Sequence, residues 1–167
     1  MKTLSIRPAK IYDVPALARI ERESFAHPWS AEQITRDIVA NDRAFVAVAV
    51  LDGEPVGYAD MWIVAGEAQL YNIAVAPEYR GAGICSILMK YMAKTAARAG
   101  CRTMTLEVRR SNEPAISMYR KGGFRDSGIR KGYYADNKED AVLMDREISP
   151  DEALEGTGDL EVDSETV

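Results

Sequence analysis

Residues Leu70–Ala99 constrain this chain more than any other stretch, because a strand, a glycine-containing turn and a long helix follow one another without a break. Leu70–Val75 is apolar and ends before Pro77, which cannot donate to a sheet ladder. Arg80-Gly81-Ala82-Gly83 then permits a tight turn with little side-chain bulk. From Ile84 the apolar positions fall at Ile84, Ile87, Leu88, Tyr91, Met92, Ala96 and Ala99, the spacing of a helix with one face on a core. Gly100 stands where a left-handed C-terminal cap is expected. Free N–H groups at such a helix N-terminus favour an anion, and Arg80 adds positive charge. The turn is therefore either a pyrophosphate site or a plain strand-to-helix connection. It is not a P-loop, since no lysine follows Gly83, and Ser86 breaks a GxGxxG dinucleotide fingerprint.

Around this unit the coarse order is β-α-α-β-β-β-α-β-α-β-β. The first strand is Leu4–Arg7. A helix capped by Asp13 runs through Ser24, with Val14, Leu17, Ala18, Ile20 and Phe25 as its apolar positions. His27-Pro28-Trp29 breaks it. Ser30, with Gln33 three residues on, opens a second helix through a capping box. Ala44–Leu51, Pro55–Val64 and Ala68–Val75 read as an antiparallel meander with turns at Asp52-Gly53 and Gly66-Glu67. Thr103–Val108 follows the long helix. Asn112 caps a helix over Glu113–Lys121, and Phe124–Lys131 and Ala141–Ile148 are the last strands. The class is α/β of the α+β kind, with about four helices on a mixed, mostly antiparallel seven-stranded sheet.

The 167 residues suit one domain. Of the 26 acids, seven follow Ile148 with no base among them, which leaves residues 1–148 at +2 beside the 21 bases. The expected division is a folded domain over 1–148 and an acidic, flexible tail over 149–167. A near-neutral body without a basic stripe argues against nucleic-acid binding. No run of 18 apolar residues suggests a membrane span, and MKTLSIRPAK lacks a signal-peptide core, so a cytoplasmic protein is expected. Cys85 and Cys101 have no metal-type spacing, and His27 is the one histidine, so no metal site is expected.

Two segments carry chemistry. Glu107 lies between apolar Leu106 and Val108, so alternation puts it on the opposite face from both. There it is either a solvated carboxylate or a general base. Tyr119, three residues after Ile116 on the next helix, is either a core aromatic or a proton donor. Phe25, His27 and Trp29, with Tyr133 and Tyr134, are loop aromatics or the walls of a groove.

The run Arg80–Cys85 resembles the acyl-CoA signature of the GCN5-related N-acetyltransferases (GNAT), Gln/Arg-x-x-Gly-x-Gly/Ala. Arg80 and Gly83 match, and Cys85 departs from the usual Gly or Ala. Leu106–Asn112 through Tyr119 to Gly123-Phe124 is similar to the LEVR-x-SN-x-x-A-x-x-x-Y-x-x-x-GF segment of the family's N-terminal acetyltransferases. Gly132-Tyr133-Tyr134, Glu139-Asp140-Ala141 and His27-Pro28-Trp29-Ser30 resemble the RimI type, which acetylates a ribosomal-protein alanine. The resemblance covers residues 1–148 and implies the GNAT fold, its sheet splayed between the strands at 68–75 and 103–108 with acetyl-CoA in the wedge. It implies Glu107 as general base and Tyr119 as general acid. For acetyl-CoA it implies Ile73, Ala74, Val75, Arg80, Gly81, Ala82, Gly83, Ile84, Cys85, Asn112 and Tyr119. For the acceptor it implies Phe25, His27, Trp29, Tyr71, Glu107, Tyr133 and Tyr134. The expected partner is the N-terminal segment of a protein, including a ribosomal one, and the expected state is a monomer or weak dimer. An α-amine, with a pKa of about 7.7–8.0, costs about 1 kcal/mol to deprotonate at pH 7, against nearly ~5 for lysine. A lone carboxylate base therefore suits the α-amine better. The competing readings are a GNAT enzyme for lysine or small amines, and an acyl-CoA-binding subunit without turnover.

Overall fold

The computed structural model describes residues 2–154 and 162–163. Its strands are β1 (Thr3–Pro8), β2 (Ala44–Leu51), β3 (Glu54–Val64), β4 (Glu67–Val75), β5 (Thr103–Arg109), β6 (Arg125–Arg130) and β7 (Ala141–Glu147), with a two-residue β8 (Val162–Asp163). The helices are α1 (Val14–Ser24), α2 (Ala31–Val39), α3 (Ile84–Arg98) and α4 (Glu113–Lys121). The strands form one sheet in the order β6-β7-β5-β4-β3-β2-β1-β8. The β4–β5 pair is parallel and the other pairs are antiparallel. The expected mixed GNAT-type sheet and four helices are both present.

The sheet is packed on both faces. Ala47, Ala49, Val56, Ala59 and Met61 join Leu88, Met92 and Ala96 of α3, and Ile116 and Tyr119 of α4, in one cluster. Val46, Val48, Tyr58 and Ala74 join Leu17 and Ile20 of α1 and Ile34 of α2 in the other. This explains why β2 is nearly all apolar: alternate residues enter opposite cores. The buried stripe of α3 also takes in Met89, Ala93 and Ala97, while Ala99 is exposed. Ser30 accepts from the Gln33 N–H and Gln33 returns the bond to the Ser30 N–H, completing the expected capping box of α2.

Some expectations shift. Asp13 does not cap α1 with its side chain; its carboxylate takes both Arg7 guanidinium nitrogens and the Lys10 N–H. Phe25 leaves the helical face and is 38% exposed, because the chain turns extended there. The packed body runs past Ile148: a 3-10 turn at Pro150–Leu154 lies against α3, and Glu152 pairs with Arg146. Of the acidic tail, Val162 and Asp163 pair with Leu4 and Thr3 of β1. The expectation of flexibility for the remainder falls outside the described residues.

Gly57 brings β3 close to α3. A Cβ there would sit 3.0 Å from the Ala74 carbonyl oxygen and 3.3 Å from Leu88 Cδ1. Gly57→Ala is expected to cost about 1–3 kcal/mol by overpacking, measured as a lower urea midpoint with unchanged m-value.

Candidate active site

The sheet opens at its centre. β4 pairs with β5 only from Glu67–Thr103 to Leu70–Leu106. Beyond that rung β4 continues against β3 to Val75, and β5 continues against β7 to Arg109. Along Ile73–Val75 the β5 side of β4 thus has no partner strand, and its backbone groups other than the Val75 carbonyl, which Arg80 occupies, are left for a ligand or water. At the end of β4 the chain turns through Gly81 (φ 82°) and Gly83 (φ 84°) into α3. These left-handed angles suit glycine, and nothing lies within 4 Å of where either Cβ would be. No side chain crowds the turn that leads into the first N–H groups of α3, which have no partner within the helix. Arg80 is not a free charge: its Nε donates to the Val75 carbonyl at 2.9 Å and its Nη2 to Ser24 Oγ at 2.9 Å. It braces the turn against β4 and the end of α1.

Glu107 lies one residue past the last shared rung, with Leu106 and Val108 packed toward α3 and α4. Its carboxylate therefore points to the α1/α2 side. Arg130 Nε lies 3.4 Å from it, and the Glu107 carboxylate raises the pKa of the nearby Tyr133 hydroxyl. Tyr119 comes from the other side. Its ring is buried edge-on to Phe124, and burial pushes the hydroxyl pKa up, with Cys85 and Tyr134 adding to the shift. The hydroxyl thus stays protonated in neutral solution, between the α3 turn and the Tyr134 loop. Asn112 caps α4, its Oδ1 accepting from the Ala115 N–H at 3.3 Å. Burial pushes the Cys85 thiol up to about 11, with Arg80 opposing part of the shift, so it is no thiolate nucleophile at neutral pH.

Two loops wall the α1/α2 side. Residues 131–140 are held by Arg109, which contacts Asp136 at 3.0 Å and lies 4.0 Å from the Tyr134 ring centre, and by Glu139 on the Ser111 N–H. Tyr133 is half exposed and edge-on to Tyr134. Opposite, His27 Nε2 lies 3.6 Å from Asp136, joining the two walls. Tyr71 is exposed against Trp62, with ring centres 4.9 Å apart. Trp29 is partly buried against the α1/α2 core, which anchors its loop. A depression of ≈ 760 Å³ lined by Ile116, Arg120, Asp126, Ile129 and Val142 lies apart from these groups.

Residues 14–124 match the family described as Acetyltransferase (GNAT) family. This chain belongs to it. The chain is similar to a Bacillus subtilis (strain 168) protein provisionally named as a [ribosomal protein bS18]-alanine N-acetyltransferase, at 39% identity over 86% of this chain and 96% of that one. It is 34% identical to the [ribosomal protein bS18]-alanine N-acetyltransferase of Escherichia coli (strain K12), over 82% of this chain and 93% of the relative. The crystal structure of the ribosomal-protein-S18-alanine N-acetyltransferase from Escherichia coli superposes with a TM-score of 0.80 at 33% identity, covering 87% of this chain and 94% of that one. GNAT acetyltransferases draw their acetyl group from acetyl-CoA, and this chain is an N-acetyltransferase.

Behind the GNAT wedge lies a buried polar layer that sequence reasoning missed. Glu21 is fully buried, where it accepts from the Tyr58 hydroxyl, the Asn72 amide and, at 2.9 Å, the Trp29 N–H. A signal existed: Val14, Leu17, Ala18 and Glu21 share one helical stripe. Asp37 accepts from Trp62 Nε1 at 2.9 Å and Asn41 Nδ2 at 3.0 Å. Asp60 is fully buried, and neither of its oxygens meets a donor among the described residues. Its neighbour is the Asp37 carboxylate, so a bond between them requires a shared proton. Burial first, then Asp37 and the charge of Glu21, push Asp60 up to about 9. Between about 3.9, the unfolded value, and about 9, the native state holds a proton that the unfolded chain has released. Raising the pH across that window therefore costs stability. Asp60→Asn supplies the bridging N–H without titrating. Its stability, from urea unfolding at each pH, should gain on wild type from pH 5 to pH 9, on the order of 4 kcal/mol between pH 5 and pH 8, and a gap constant with pH would refute the shared proton.

Proposed function

We propose that this protein transfers acetyl from acetyl-CoA directly to the α-amino group of a protein N-terminus. The observation that carries the reading is the two-sided apex of the wedge: Glu107 faces the α1/α2 side among Tyr71, Arg130 and Tyr133, and Tyr119 lies on the α3/α4 side near Cys85. The amine enters on one side and the thiol leaves on the other.

The residues present fit acetyl-CoA. The glycine turn and the first N–H groups of α3 suit the pyrophosphate, the open β4 edge at Ile73–Val75 suits the pantetheine arm, and Asn112, at the start of α4, offers its amide to the same arm. The cosubstrate supplies an acetyl group activated as a thioester. Glu107, directly or through one water, takes the proton of the attacking amine. A backbone N–H of Ile73–Val75 polarises the carbonyl. The C–N bond forms, the C–S bond breaks, and the Tyr119 hydroxyl protonates the departing sulfur. Tyr133, Tyr71, Phe25 and His27 line the acceptor groove.

The relatives named for alanine of a ribosomal protein support a small first residue, Ala or Ser, and a ribosomal acceptor. Acetyl-CoA and ribosomal proteins meet in the cytoplasm, where we place the protein. No described helix is long and apolar enough to cross a membrane.

A panel of peptides varied at the first two residues, with N-terminally blocked lysine-containing controls, tests the reading. Free Ala- and Ser-starting peptides should be acetylated and blocked ones should be inert; transfer confined to blocked lysine peptides would sink it. Glu107→Gln should lower kcat by about 10²-fold or more, with the acetyl-CoA dissociation constant little changed. Because the hydroxyl pKa of Tyr119 lies above its usual value, the kcat–pH profile should rise with amine deprotonation and show no fall below about pH 10. Tyr119→Phe should lower kcat without introducing such a fall.

A further inference from the structure

β4 carries a bulge at the wedge. Asp60 of β3 pairs with Asn72, but the next residue, Met61, pairs with Leu70, so Tyr71 is an extra residue. The bulge turns two consecutive side chains to the α1/α2 side. Tyr71 meets Trp62 there, and Asn72 meets Glu21 of α1.

The amide of Asn72 has one orientation. Its Nδ2 donates to Glu21 and, at 3.0 Å, to the Tyr58 hydroxyl. The Tyr58 hydroxyl in turn donates to the same Glu21 oxygen. The amide nitrogen is therefore engaged inside the protein. A flipped amide would set its oxygen against the Glu21 carboxylate, so Oδ1 must point away from α1. No donor among the described residues meets Oδ1, and it is not among the buried unpartnered atoms, so it is open to solvent. Asn72 lies just past the last β4–β5 rung, and Glu107 lies just past it on β5, on the same side of the sheet.

We propose that Asn72 binds the acceptor: its Oδ1, aimed by Glu21 and Tyr58, accepts a hydrogen bond from the incoming α-amino group opposite Glu107. An amine entering the apex then meets two fixed oxygens from two diverging strands. One accepts its proton, and the other holds a remaining N–H so that the lone pair is directed at the thioester carbon. The neutral amide suits this task because it orients the amine without competing for its proton. Glu21 and Tyr58 are positioning residues, acting through Asn72. The Glu21–Trp29 bond extends the same tie to the α1–α2 loop. This role rests on the N-terminal acceptor proposed above.

The test couples Asn72 to the amine nitrogen itself. Two probes are used with the CoA-bound enzyme: an Ala-starting peptide, and the same peptide with its first residue replaced by a propanoyl group, which lacks the amine. Asn72→Ala should weaken the amine peptide about tenfold, the scale of a hydrogen bond to a charged group, and the propanoyl peptide by less than about twofold. CoA affinity should stay unchanged. Glu21→Gln frees the Asn72 amide to flip and should give the same selective loss; it carries the test if Asn72→Ala does not fold. Equal weakening of both peptides, or weakening of neither, overturns the role of Asn72. Wild-type transfer to the Ala-starting peptide is scored separately, and its absence removes the N-terminal acceptor and this role with it.

Discussion

The parting of β4 from β5 after the Leu70–Leu106 rung is the constraint on which the rest of the molecule depends. Unpaired backbone groups inside a sheet are costly, so two neighbouring strands separate only when each is held on its outer side. That condition is met. β5 is paired with β7 along its whole length, from Thr103–Glu147 to Arg109–Ala141. β4 is paired with β3 to the end and bulged at Tyr71, and Asn72 ties it to α1. The close approach at Gly57 lets α3 sit down on β3 beneath the same strand. Each half of the sheet is complete without the other, and the gap between them is a ready-made edge for an extended ligand.

A wedge open on both faces separates the two halves of the chemistry. Glu107 and the aromatic loops stand on one face, while Tyr119 stands on the other. In the proposed reaction, proton removal and proton donation then fall at opposite mouths, so the base and the acid cannot neutralise each other directly. The alternation along β5 accomplishes this with one residue: Glu107 faces away from the core that holds its neighbours. The loop over 131–140 is fixed by Arg109 from the same strand, so β5 sets both the base and the wall beside it.

Much of this arrangement was legible in the sequence. The strand, turn and helix at 70–99 are dictated by local chemistry: proline stops the strand, glycines make the turn, and periodic apolar residues make the helix. The capping box at Ser30 and the Asn112 cap are equally local. What was not legible comes from tertiary contact. The positive charge of Arg80 was legible, but not that Val75 and Ser24 would occupy its guanidinium. The packing of Trp29 against the α1/α2 core is likewise set by tertiary contact. Glu21 and Asp60 sit at positions whose pattern demands apolar residues, and their partners lie 51 residues away for Glu21–Asn72 and on another element for Asp60–Asp37. A carboxylate in an apolar stripe is visible in one dimension; the hydroxyl, amide or second carboxyl that makes it tolerable is not.

The site also bears on the order of transfer. A relay through an acyl-cysteine would need a thiolate within reach of the thioester. Cys85 lies at the start of α3 beside the glycine turn, and burial raises its thiol to about 11, so the thiolate is scarce at neutral pH. Cys101 is fully buried in the α3 core, remote from the wedge face that carries Glu107. Neither thiol suits an acyl carrier. The carboxylate of Glu107, by contrast, faces the side from which an amine would come, with Tyr119 on the side toward which a thiol would leave. An amine so placed needs no covalent intermediate on the protein, and the two-faced wedge favours direct attack in a ternary complex.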